Sequence, residues 1–212
     1  DIPGSGRSTM LRNDRIILMD DYAECINAIL LAEGIKKCVM IGHSMGGYIT
    51  LAFAEKYPGK LTALGLFHSS AYADDKDKRE TRKKANGFMR SNGAAAFLET
   101  SIPGLFYNAE MSRKDIASLL KKGNNFTAET LIQYYEAMME RPDRTSILKK
   151  INIPVLFVIG NHDKAVPFQH SLEQSTMPAY SFVTILRNSA HMGMLEEKEK
   201  ANKTLADFLE TI

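Results

Sequence analysis

Three residues of this chain have the types and settings to share one piece of chemistry: Ser44, Asp163 and His191. A serine hydroxyl is a poor nucleophile until a base takes its proton, and imidazole, titrating near neutrality, can take that proton and later return it to a leaving group. A carboxylate then fixes the imidazole's tautomer and steadies the imidazolium. Each of the three follows an apolar, strand-like run, and they occur in the order Ser…Asp…His, which one class of serine enzymes uses.

Ser44 sits in Gly42-His43-Ser44-Met45-Gly46-Gly47. A bare G-x-S-x-G arises by chance in roughly one chain in ten to twenty of this length, so its surroundings decide its meaning. Here strand-like residues 38–41 lead in, and an amphipathic helical pattern over 46–57 follows, stopped by Pro58-Gly59. A strand turning so sharply into a helix holds the serine in a strained backbone conformation, and Gly42 and Gly46 are expected to remove side chains that would collide with the turn. The new helix aims free N–H groups at whatever the serine attacks, and the N–H of Met45 is the expected oxyanion donor.

The other histidines are weaker candidates for the base. His43 is expected to point away from the serine, His68 ends a strand, His162 adjoins Asp163 and His170 falls in a helix. Structural hydrogen bonding is the simpler role for each. Asp74 or Asp75 is the rival for the acid, although the charged segment around them suggests exposure, where an orienting carboxylate needs burial.

Positioning these residues requires a sheet. Residues 20–33 read as a helix, 38–41 and 61–68 as strands with a helix between, and 153–159 and 180–186 as further strands. That alternation predicts an α/β fold: a mostly parallel sheet with helices on both faces. Asp163 and His191 then fall in loops past the carboxyl ends of successive strands, where open α/β sheets place ligands. A helix over 168–176 and a closing helix from about 195, with Leu205, Phe208, Leu209 and Ile212 on its covering face, complete this part.

Between 72 and 146 the pattern is helical only, with segments near 74–92, 94–100, 112–121 and 127–140. The expected organisation is a first core part over 1–70, a helical cap over 71–150 and a second core part over 151–212. Six basic and four acidic residues crowd 74–84, and a solvated helix face is the reading that composition favours. Phe106, Tyr107, Met138, Val166 and Met192 are the candidates for an acyl pocket, since pockets are lined mainly by such side chains.

The 212 residues carry 27 basic and 25 acidic side chains, a net charge of +2 spread along the chain, which gives no electrostatic case for nucleic acid or an anionic membrane. No apolar run approaches the roughly 18 residues that suggest a membrane span. Cys25 and Cys38 fall in a helix and a strand and read as small buried apolar residues, favouring a reducing, cytoplasmic compartment. No cluster has metal-ligand spacing, and no cofactor is expected. Gly4 and Gly6 do not make a dinucleotide fingerprint, because no strand precedes them.

With these residues the chain resembles the α/β-hydrolase fold enzymes of the single-domain, capped type, which include many esterases, lactonases and cofactor-free haloperoxidase-like proteins. The resemblance runs through D-x-P-G-x-G-x-S at 1–8, G-H-S-M-G-G at 42–47, G-x-x-D-x-x-V-P at 160–167 and His191 followed by Gly193. It implies Ser44 as nucleophile, Asp163 as acid and His191 as base. In that family the first of these motifs follows several strands, one leading to an H-G loop that supplies a second oxyanion donor. The resemblance therefore leads us to expect that the protein continues upstream of Asp1. A donor of that kind is worth about 10² to 10³ in kcat.

The expected activity is hydrolysis of a small carboxylic ester, thioester or lactone through an acyl-enzyme on Ser44, with a small-molecule acyl substrate as the partner. A carbon–carbon hydrolase or perhydrolase of the same fold, or a slow or non-catalytic ligand-binding member, stays open as an alternative.

Overall fold

Alternate residues of the central strands pack into different layers, and that period of two explains why their sequences are apolar throughout. Val155, Phe157 and Ile159 join one buried cluster with Leu64 and Leu66, whereas Leu156 and Val158 join a second with Ala63 and Phe67. The computed structural model describes residues 1–11 and 15–212.

These residues form strands β1 (Cys38–His43), β2 (Leu61–Phe67), β3 (Val155–Gly160) and β4 (Ser181–Leu186). All three pairings are parallel, in the order β1-β2-β3-β4. His43 lies opposite Phe67, Phe67 opposite Val158, and Gly160 opposite Leu186, so the loops after the four strands leave from one edge of the sheet.

Helices α1 (Met19–Ala32) and α2 (Met45–Lys56) bury Tyr22, Phe53 and Leu51 against the first layer. The second layer is covered by Ala201, Leu205 and Phe208 of the closing helix, which lies beyond β4. Leu209 and Ile212, expected on the same face, are 50% and 42% exposed. Leu209 stands about 40° around the helix from Leu205, towards the rim of the contact, and Ile212 is past the last helical residue.

Between β2 and β3 the chain is helical: α3 (Lys76–Ser101), α4 (Arg113–Gly123), α5 (Ala128–Glu140) and α6 (Thr145–Lys150). Gly93, at φ 83°, interrupts α3 and divides it where the sequence pattern divides. The side chain of Asp75 accepts the N–H of Lys78 and caps α3, and that of Thr127 caps α5 through the N–H of Thr130. After β3 come α7 (Phe168–Ser175), then β4, α8 (Gly193–Glu196) and α9 (Lys198–Thr211). Cys25 and Cys38 are free and half-buried. Among the described residues no helix is long and apolar enough to cross a membrane.

The turn from β1 into α2 is held by backbone contact. Ser44 has φ 52° and donates its N–H to the Phe67 carbonyl at 3.0 Å. A Cβ on Gly42 would lie 2.2 Å from the carbonyl carbon of Gly46, and one on Gly47 would lie 2.2 Å from Ser69 Oγ. Gly46, expected to be required for the same reason, has open space where its Cβ would be. What Gly42 meets is the Gly46 backbone, which any residue there would present.

Gly42→Ala is therefore expected to cost more than about 4 kcal/mol or to prevent folding, because neither backbone can yield. Gly46→Ala is expected to stay within about 1 kcal/mol of the parent. Urea denaturation of the two variants checks the contrast.

Candidate active site

The loops after β1, β3 and β4 bring Ser44, Asp163 and His191 into one line of hydrogen bonds. Ser44 Oγ lies 2.8 Å from His191 Nε2, and His191 Nδ1 lies 2.8 Å from Asp163 Oδ2. A carboxylate can only accept, so Nδ1 carries the ring proton and Nε2 is left to accept from the serine hydroxyl. Asp163 Oδ1 accepts the N–H groups of Ala165 and Val166 at 2.8 and 2.9 Å. Burial pushes the Asp163 carboxyl upward, but the bonds from His191, His68 and the Val166 N–H outweigh it and hold the group well below the usual carboxylate range.

The His191 loop is tied down from several sides. The His191 N–H donates to the Leu105 carbonyl at 2.9 Å, so the chain following α3 holds the loop directly. Glu196 accepts the N–H of Ala190 through one oxygen and that of Tyr107 through the other, at 2.8 and 2.6 Å. A Cβ on Gly160 would sit 2.0 Å from the Ala190 carbonyl oxygen, which is how closely the Asp163 and His191 loops approach.

Two further histidines belong to this neighbourhood. His43, expected to point away from the serine, lies against His191: its ring centroid is 4.9 Å from that of His191, and Nε2–H donates to the His191 carbonyl at 2.9 Å. Burial, aided by His191, pushes its pKa down to about 3. His68, just past β2 at φ 46°, has a fully buried side chain, with Nδ1 3.5 Å from Asp163 Oδ2. The Gly160 N–H also approaches Nδ1, at 3.1 Å, and the Gly193 N–H approaches Nε2, at 3.2 Å. A neutral ring has one acceptor nitrogen, so it can accept from one of these two N–H groups at a time. A histidine ending a strand carries no local signal of this; only the pairing of β2 with β3 brings it to the acid.

Burial pushes the pKa of His43 and of His68 down, so each takes up its proton at a lower pH in the fold than in the unfolded chain. The unfolded chain takes up their protons near pH 6.5. Unfolded chains then bind more protons than folded ones, so stability falls as pH drops below that value, by up to about 1.4 kcal/mol per pH unit for each histidine. Asp163 adds to the loss below about pH 4, where only the unfolded carboxyl is protonated. Urea midpoints at pH 7.5, 5.5 and 4.5 are expected to decline in that order, and His43→Asn is expected to flatten the decline.

Asp74 is fully buried, unlike the exposed residue its sequence suggests, and its carboxylate is shared between Arg82 and Arg141 at 2.6 and 2.8 Å. Those arginines take the place an imidazole would need. Asp75 is occupied as the cap of α3. His162 stacks on Tyr107 at 3.8 Å, and His170 lies 5.4 Å from Tyr72.

A cavity of about 560 Å³ opens on Ser44, Met45 and His191. Met138 and Met192 line it, as do Tyr134, Tyr135 and Leu98 from the helical segment. The other three pocket candidates lie elsewhere. Phe106 is buried in a separate cluster with Ile102 and Ile116, Tyr107 is half exposed against His162, and Val166 is buried behind Asp163, its neighbour Ala165 facing the cavity instead. Met45 opens α2, and an N–H in the first turn of a helix has no partner within it. Among the described residues, no group of three or more His, Cys, Asp or Glu side chains could hold a metal ion.

The fold is that of the α/β-hydrolase class. More narrowly, the chain belongs to the family described as serine aminopeptidase, S33, whose pattern matches residues 1–197. It is 26% identical to human protein ABHD8 over 221 residues, an alignment covering 99% of this chain and 47% of that protein. The chain thus spans about half the length of the curated relatives it matches. Among solved structures it superposes on an esterase from Thermogutta terrifontis with a TM-score of 0.87 at 24% identity, covering 100% of this chain and 78% of that one. It superposes on the enol-lactonase of Burkholderia xenovorans with a TM-score of 0.88 at 21% identity, covering 99% and 79%. At such identities these structures speak for the fold alone.

Proposed function

We propose that this hydrolase cleaves a small carboxylic ester, thioester or lactone through an acyl-enzyme on Ser44. The observation that carries the reading is the hydrogen-bonded line from Ser44 Oγ through His191 to Asp163 at the mouth of an apolar cavity. Ser44 Oγ attacks the carbonyl carbon while His191 Nε2 takes the hydroxyl proton. The Met45 N–H receives the negative charge that forms on the carbonyl oxygen. His191 returns the proton to the departing oxygen or sulfur as its bond to carbon breaks. Water then attacks the acyl group, giving one proton to His191, which passes it to Ser44 as the acid leaves. Asp163 keeps the proton of His191 on Nδ1 throughout, and its charge offsets the transient imidazolium.

In this reading residues 71–150 act as a cap. They supply most of the apolar wall, and the Leu105 carbonyl on the His191 N–H couples the cap to the base. The solved esterase and enol-lactonase of the same fold act, by their names, on the same class of carbonyl.

Labelling with a fluorophosphonate probe tests the proposal, together with a panel of esters, thioesters and lactones. One phosphonyl group on the Ser44 peptide, with turnover of at least one panel member, is the expected result. A folded protein that takes no label and turns over nothing would sink it.

A further inference from the structure

The charged stretch 74–84, which composition assigns to solvent, turns one face inward. Lys78 and Arg82, one turn apart on α3, line the cavity that holds Ser44, and Asp74 lies just before the helix. Lys122 stands at the cavity's exposed rim. No carboxylate side chain is among the lining residues, which are otherwise largely apolar.

Arg82 is committed: its Nε bonds Asp74, and its guanidinium lies over the Tyr135 ring at 5.1 Å. Lys78 is not. Its ammonium donates to the Ala165 carbonyl at 2.5 Å, which holds it against the loop carrying Asp163, and among the described residues it makes no ion pair. An ammonium has three donors, so two remain. The charged groups facing it are Arg82 and Arg141 on one side of the balance, Asp74 and Asp163 on the other. Arg82 and Arg141 are both held on the Asp74 carboxylate, so Lys78 is left without a counter-ion. Burial, with Arg82 beside it, pushes the Lys78 pKa down, which is the cost of holding an uncompensated cation in an apolar wall.

We propose that the substrate of the Ser44 site is an apolar ester bearing a carboxylate, and that Lys78 receives that carboxylate. A carboxylate is the acceptor that the free donors of Lys78 lack, since the lining residues include none. The apolar lining takes the chain between the two ends, and Lys78 selects against fully esterified or unsubstituted acyl groups, which would leave its half-buried ammonium without a counter-ion. The inference rests on the reading of Ser44 as nucleophile, but it is tested by binding, which needs no turnover.

The experiment is calorimetric titration of the Ser44→Ala protein at pH 7.5 with the monomethyl esters of C4 to C10 linear dicarboxylic acids and with the matching dimethyl esters. At the best chain length the half-ester is expected to bind at least about tenfold more tightly than its diester. Adding Lys78→Met is expected to remove that advantage, and Lys78→Arg to keep most of it. Lys78→Gln replaces Lys78→Met if the latter does not fold. The inference is overturned if half-esters bind no better than diesters at every length, or if the advantage survives loss of the ammonium. Failure of the nucleophile reading would show separately, as an unlabelled Ser44 in the parent protein.

Discussion

Ser44→Ala is expected to lower kcat for ester hydrolysis by about 10⁶-fold and to abolish fluorophosphonate labelling, with stability close to that of the parent. The backbone argument explains why the loss is chemical. Residue 44 is held at φ 52° by its N–H bond to Phe67 and by the Ser69 hydroxyl, which donates to its carbonyl at 2.7 Å; neither involves the Ser44 side chain. Alanine inherits the same strained conformation, and what disappears is the oxygen 2.8 Å from His191. His191→Ala is expected to cost a similar factor, and the double variant no more than either single one, because the two residues form one device. Measurement of kcat on a 4-nitrophenyl ester for the three variants, with thermal melts beside it, checks this. A Ser44→Ala protein keeping more than about 1% of parental activity would move the nucleophile elsewhere in the cavity.

What the sequence made legible in this site is what local spacing encodes. Gly42 announces a close backbone approach, and Asp163 and His191 each stand a few residues past an apolar run, so a parallel sheet has to bring their loops to one edge. The alternation of helix and strand conveyed the architecture for the same reason. Hidden were the features that depend on which face of an element meets another. His43 and His68 read as bystanders because their contacts with His191 and Asp163 cross 148 and 95 residues of chain. Lys78 and Arg82 sit among exposed charges of the same helix, and composition cannot tell the inward residue of such a run from its neighbours. Gly46 erred the other way: a motif glycine with room for a side chain. Tyr107 was misplaced because Glu196 and His162 hold it outside the cavity, contacts that sequence order does not reveal.

Asp163→Asn is expected to lower kcat by about 10⁴-fold while leaving the fold intact, and the hydrogen bonds around Asp163 say why. Oδ1 accepts two backbone N–H groups, from Ala165 and Val166, so an asparagine must place its amide oxygen there. Its amide nitrogen then occupies the Oδ2 position, 2.8 Å from His191 Nδ1. Two donors cannot face each other, and the imidazole answers by moving its proton to Nε2. In that tautomer Nε2 donates to Ser44 Oγ, and the ring has nothing with which to accept the Ser44 proton. His68 lies beside the same oxygen, its Nδ1 3.5 Å away. Asp163→Ala is the instructive partner, because it leaves the Ala165 and Val166 N–H groups unpaired and is expected to cost about 1 to 3 kcal/mol of stability as well. Measuring kcat and urea midpoints for both separates tautomer from scaffold: the asparagine should be slow and stable, the alanine slow and weakened. An Asp163→Asn enzyme within tenfold of the parent would mean that another group orients His191. The twin arginines on Asp74 leave His68, already packed against the same loop, as the place to look for it.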